Sequence, residues 1–112
     1  MLYVLNTLIV PIDFSKHPSV NVRFRKISVE EARQLLEQSA QSFVSAVGHE
    51  ASAKLLSQLL SVQVPFNRVS VYLNPGDKAI HFFLKSRLQE GKVLSEEELK
   101  ALDYWLVLSE VV

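Results

Sequence analysis

Short β-branched runs alternate along this chain with stretches where leucine recurs at helical spacing, and that alternation limits it to a sheet packed with helices. Leu2 to Val10 is an apolar, β-branched run that reads as a buried strand. Pro11 to Ser19 has the turn chemistry of a loop. Val20, Val22 and Phe24 then alternate with Asn21, Arg23 and Arg25, the period of a strand with one wet face. Ser28 and Glu31 form an S-x-x-E capping box, and Val29, Ala32, Leu35 and Leu36 give the helix it opens an apolar stripe that fades near Ser39.

Phe43 to Val47 is a short extended stretch broken by Gly48, with His49 at the head of a second helix. Leu55, Leu56, Leu59 and Leu60 form that helix's buried face, and Glu50 and Lys54 stand at a favourable i,i+4 spacing. Val69 to Leu73 and Ala79 to Leu84 flank Asn74-Pro75-Gly76-Asp77, whose Pro and Gly suit a type II turn, so the pattern predicts a hairpin. Gly91 ends the next segment. Ser95 and Glu98 make a further capping box, opening a helix to about Leu102, and Trp105 to Val112 closes the chain as a strand. The expected architecture is α/β: one small domain over residues 1–112, with a mixed sheet of about five strands packed with three helices.

Composition narrows the function. Lys plus Arg equals Asp plus Glu at 12 each, so the chain lacks the basic surface that long nucleic acid demands. A few local arginines still suffice for a small anionic ligand. With no cysteine there are neither disulfides nor thiolate metal sites, which suits a reducing cytoplasm. The apolar opening is followed at once by Pro11 and Asp13 and falls short of the roughly 20 residues of a membrane span. We therefore expect a cytoplasmic protein that does not contact a membrane.

Common catalytic motifs are absent: there is no phosphate loop, dinucleotide fingerprint, H-E-x-x-H or G-x-S-x-G. The three histidines, His17, His49 and His81, are far apart and lack metal-ligand spacing, so no metal or other cofactor is expected. His49 follows a glycine at a helix start, where backbone N–H groups and the helix dipole favour an anion and Gly48 lets a phosphate come close. Arg68, in P-F-N-R-V, and Arg87, in R-L-Q-E-G, each follow or open a strand end, where arginine suits phosphate oxygens. Glu90 is placed to orient Arg87 or to accept from a ligand hydroxyl. Each residue alone is also what an ordinary solvated surface supplies. His81 and Lys85 share a strand face with Phe83 and read as a wet edge, while Tyr72, Tyr104 and Trp105 read as strand aromatics in packing roles.

Taken in order, Leu2-Tyr3-Val4-Leu5-Asn6, Ala46-Val47-Gly48-His49, Val64-Pro65-Phe66-Asn67-Arg68-Val69, Asn74-Pro75-Gly76-Asp77 and Arg87-Leu88-Gln89-Glu90-Gly91 resemble the type III anti-CRISPR ring nucleases. The resemblance covers nearly the whole chain. It implies a homodimer that holds cyclic tetra-adenylate across its two-fold axis and cuts it, silencing the effectors which that messenger activates. It places the family's catalytic histidine on His49, its amino-terminal asparagine on Asn6, its arginines on Arg68 and Arg87, and its acidic residue on Glu90. The chain departs from better-known viral members at Ile9, where a small hydroxyl residue is usual, and at Phe83, where a glutamine is. Thr7 supplies a hydroxyl close to the first position. Two other readings fit the same residues: a dimeric nucleic-acid-binding regulator, and a sponge that binds the ring without cutting it.

Overall fold

The computed structural model describes residues 1–39, 42–85, 95, 97–98 and 101–112. Its elements follow in the order β1 (Leu2–Leu5), β2 (Val22–Lys26), α1 (Val29–Gln38), β3 (Val44–Ser45), α2 (Glu50–Leu60), β4 (Lys78–Leu84) and β5 (Tyr104–Val111). The strands form one mixed sheet in the order β2-β5-β4-β1-β3. β1 pairs in parallel with β3 and β4, and β5 runs antiparallel to both β4 and β2. Every strand except β5 therefore points its carboxyl end the same way. Two helices are described. The Ser95–Glu98 box forms with both reciprocal bonds, Glu98 N–H to Ser95 Oγ at 3.2 Å and Ser95 N–H to Glu98 Oε1 at 3.3 Å, and the rest of that expected third helix lies largely outside the described residues.

Both described helices cover one sheet face. Val4, Ile80, Phe82, Leu106 and Leu108 meet Ala32, Leu36, Leu56 and Leu60 there, and the fully buried leucines stabilise about 1.5–3 kcal/mol each. Ser28 caps α1 as its spacing predicts, accepting from Glu31 N–H at 3.1 Å. Glu31 does not reciprocate, because its carboxylate is held in a two-pronged pair by Arg25 of β2 at 3.0 and 2.6 Å. Arg33 donates to the Leu60 carbonyl at 2.7 Å, tying the last turn of α2 to α1.

The second face is only partly covered. Val10, Ile12, Val20 and Val71 pack with Leu5, Leu73, Ala79 and Val111. Beyond them Phe24 and Trp105 stay exposed, with Phe83 stacked on Trp105 at 5.6 Å between centroids.

Four strand readings change. The first strand ends at Leu5, and the apolar run beyond it crosses the second face as irregular chain. β2 is wet on both sides, since Phe24 is 51% exposed. Residues 69–73 make no strand, only a bridge from Leu73 to Ile12, so there is no hairpin. The turn itself is real: Asp77 N–H bonds the Asn74 carbonyl at 2.9 Å, and Gly76 has the positive φ of 97° that a type II turn requires. Finally, His81 and Lys85 do not form a wet edge. β4 lies between β1 and β5, and His81 is 0% exposed.

Candidate functional site

The order of the sheet creates one crevice. β1 sits between β3 and β4, so the chain leaving its carboxyl end at Asn6 and Thr7 rises beside the chain leaving β3 toward α2. Open sheets bind ligands at such points, where neighbouring connections part.

Gly48 and His49 occupy the step from β3 to α2. His49 is the N-cap residue of α2, with extended backbone angles (φ −131°, ψ 119°) and no side-chain hydrogen bond to a helix amide. The first-turn amides are thus free of a capping side chain and face outward with the positive end of the dipole. Glu50 would oppose an anion there, but Lys54 pairs with it at 3.2 Å. The His49 imidazole is exposed, and its Nδ1 stands 3.4 Å from the Ser52 hydroxyl. A hydroxyl both donates and accepts, so Ser52 steadies the ring in either protonation state.

Arg68 reaches the same corner by a route that sequence spacing does not reveal. Val47 bridges Phe66 in parallel, Asn67 N–H bonds the Val47 carbonyl at 2.9 Å, and the Asn67 amide donates to the Ser45 carbonyl at 2.8 Å. These bonds lay residues 66–68 alongside residues 47–49. A Cβ on Gly48 would stand 3.3 Å from Arg68 Cγ, so glycine here permits the close approach. Arg68 is exposed, and among the described residues no carboxylate pairs with it.

A shallow depression of about 280 Å³ opens beside this corner, lined by Thr7, Ile9, Ala46, Val69, Ser70 and Tyr72 among others. Gly48, His49 and Arg68 are therefore brought together, Thr7 lines the adjoining depression, and Asn6 stands at its strand end. Arg87 and Glu90 lie outside the described residues. Tyr72 is not the packed strand aromatic its neighbours suggest: it is 56% exposed and forms part of the depression. Ile9 is exposed along the same wall, while Phe83 lies against Trp105. Tyr104 does pack, its ring 5.7 Å from that of Phe82. Asn67 and Ser52 were also missed, since only the folded backbone shows what they hold.

Among the described residues no three His, Asp or Glu side chains are grouped to hold a metal, and no helix is long and apolar enough to cross a membrane.

Among the described residues, His81 is the one strongly buried titratable group near the site. Burial pushes its imidazole below the ordinary histidine value, against a smaller opposite effect of its bond to the Thr7 carbonyl. An unfolded chain takes up this proton at the ordinary value while the folded one resists it. The contribution to stability is therefore whole above that value and is lost as pH falls toward the depressed one. Thermal melts from pH 7 down to about 5 should fall more steeply for the wild type than for His81→Asn. Parallel curves would show that His81 does not titrate in this window.

The sequence model of the family described as STIV B116-like matches residues 2–106. Protein 26 of Sulfolobus islandicus filamentous virus is 42% identical over 113 aligned residues, covering 100% of this chain and 92% of that protein. ORF117 of Acidianus two-tailed virus is 46% identical, covering 93% and 87%. Among solved structures, B116 of Sulfolobus turreted icosahedral virus superposes with a TM-score of 0.84 at 26% identity, covering 97% of each chain.

Proposed function

The chain belongs to the STIV B116-like family, and from its likeness to the type III anti-CRISPR ring nucleases and the corner built by Gly48, His49 and Arg68 we propose that it cleaves cyclic tetra-adenylate without a metal ion. The observation that carries this reading is the corner itself: uncapped helix amides, an arginine laid against a glycine, and an exposed imidazole at one point of the crevice. Amides and guanidinium together grip a phosphodiester, and the imidazole stands where a proton is needed.

The substrate supplies its own nucleophile. A ribose 2′-oxygen attacks the adjacent phosphorus, its proton leaving to solvent. The new P–O2′ bond forms as the P–O5′ bond breaks, and His49 passes a proton to the departing 5′-oxygen. Arg68 meets the charge that grows on the phosphate oxygens, with Arg87 as its counterpart and Glu90 steadying Arg87 or a ligand hydroxyl. Asn6 and Thr7 hold the ring from the β1 side. The depression beside them suits an adenine, with Tyr72 offering a stacking surface.

A four-fold ring on a two-fold homodimer meets one such set at each of two opposite linkages, so two cuts give di-adenylate. The exposed Phe24 and Trp105, with the half-buried Phe83 stacked on Trp105, provide apolar sheet surface for a second copy. Acting in the cytoplasm where the messenger is made, the protein would switch off the CRISPR effectors that depend on it.

The test is a single-turnover reaction with protein in excess, in EDTA, with products separated. Di-adenylate ending in a 2′,3′-cyclic phosphate should form at an undiminished rate. Loss of activity in EDTA, restored by one divalent ion, rejects this mechanism. Tight binding without products makes the protein a sponge, and binding of duplex DNA in place of the ring makes it a regulator.

A further inference from the structure

Between the end of β1 at Leu5 and the bridge of Ile12 to Leu73, the chain carrying Asn6 and Thr7 belongs to neither strand nor helix. It nevertheless has to present two side chains in fixed directions. One buried side chain that the proposed reaction does not use reaches this segment. His81 lies on central strand β4, wholly buried, on the sheet face it shares with its register partners Leu5 and Val107. Its Nδ1 is 2.6 Å from the Thr7 carbonyl oxygen, and its Nε2 is 2.7 Å from Ser109 Oγ. The Phe24 ring closes over it at 5.9 Å between centroids.

The partners fix the tautomer. A carbonyl oxygen only accepts, so Nδ1 carries the proton, and in the neutral ring Nε2 accepts from the Ser109 hydroxyl. Ser109 is itself 0% exposed, so both ring nitrogens are satisfied inside the protein. The ring is therefore held at one nitrogen by β5 and points the other at the loop.

We propose that His81 is the positioning residue of the ligand-facing loop, its Nδ1–H clasping the Thr7 carbonyl and setting the course of the backbone from Asn6 to Ile9. Thr7 and Ile9 both line the depression, so a rotated Thr7 peptide would turn one wall of it and redirect Asn6. A loop without the clasp must be reordered each time ligand binds, and that cost appears as weaker affinity.

Asparagine and glutamine separate this role from simple core filling. The Asn side-chain nitrogen is attached to Cγ, as Nδ1 is, so His81→Asn keeps a donor near the Thr7 carbonyl. The Gln nitrogen lies one carbon further out, as Nε2 does, so His81→Gln sends its amide toward Ser109. The readouts are amide hydrogen exchange of Thr7, Leu8 and Ile9 in the ligand-free protein, melting temperature, and affinity for cyclic tetra-adenylate. His81→Gln should speed exchange in this loop and weaken binding, each by about tenfold, the scale of one hydrogen bond. His81→Asn should stay close to wild type in both, at a melting temperature similar to that of His81→Gln. Unchanged loop exchange in His81→Gln, or equal acceleration across the whole sheet in both variants, overturns the proposal.

Nitrogen-15 spectra of the wild type give a measurement that no variant's folding can spoil. The His81 proton should sit on Nδ1, and a resting ring protonated only on Nε2 overturns the clasp. The affinity arm rests on the ring-nuclease reading. If the wild type does not bind cyclic tetra-adenylate, that reading falls, while loop exchange and the tautomer still decide the role of His81.

Discussion

On the proposed mechanism His49→Ala should lower the single-turnover cleavage rate by roughly 10²–10⁴-fold, the usual worth of a positioned general acid. The fold should survive the change, because the imidazole is exposed, caps no helix amide and is hydrogen-bonded to the Ser52 hydroxyl alone among the described residues. Affinity for the ring should move by a modest factor, since Arg68 and the first-turn amides of α2 remain to hold the phosphate. Rate and affinity must therefore separate. A variant that cuts at nearly the wild-type rate removes His49 from the chemistry, and one that no longer binds makes it an anchor for the ring.

The opposite pattern is expected at Arg68. Arg68→Ala should weaken binding of cyclic tetra-adenylate by about 1.5–3 kcal/mol, the scale of a charged hydrogen bond, or roughly 10- to 150-fold in Kd. Stability should barely change, because the side chain is exposed and no described carboxylate pairs with it. Arg68→Lys should recover only part of the loss: it restores the charge but not the planar pair of donors that matches two phosphate oxygens. Titration calorimetry at fixed salt decides the matter, and unchanged affinity in both variants would make Arg68 an ordinary solvated side chain.

The helices were legible because their signals are local. The stripe of Ala32 and Leu36 and the oxygen of Ser28 act within a few turns, and no tertiary partner overrules them. Strand signals are weaker, since pairing depends on distant chain. Val69 to Leu73 alternates like a strand, yet β1 and β5 already occupy both edges of β4. Leu8 to Val10 continues the composition of β1, but Val10 packs on the second face without a ladder and Ile9 stays exposed. The same blindness explains His81, which reads alike on an edge or in a centre until the strand order is known. At the site, a histidine after a glycine at a helix head was visible in sequence. The alignment of residues 66–68 with residues 47–49, which brings Arg68 to it, was not.

Both pairings of β1 are parallel, with Tyr3 in register with Val44 on one side and Ala79 on the other. Such contacts close long loops, and their entropy is met before any pairing offsets it, so they form late and together. The pair of α1 and α2 and the contact of Arg68 with Gly48 can arise from near neighbours, but Thr7 joins that corner only once β1 is threaded between its two partners. A nascent chain can thus assemble that corner without the wall that Thr7 gives the adjoining depression. The depression is complete only with the sheet, so on the proposed function affinity for the ring reports the threading of β1.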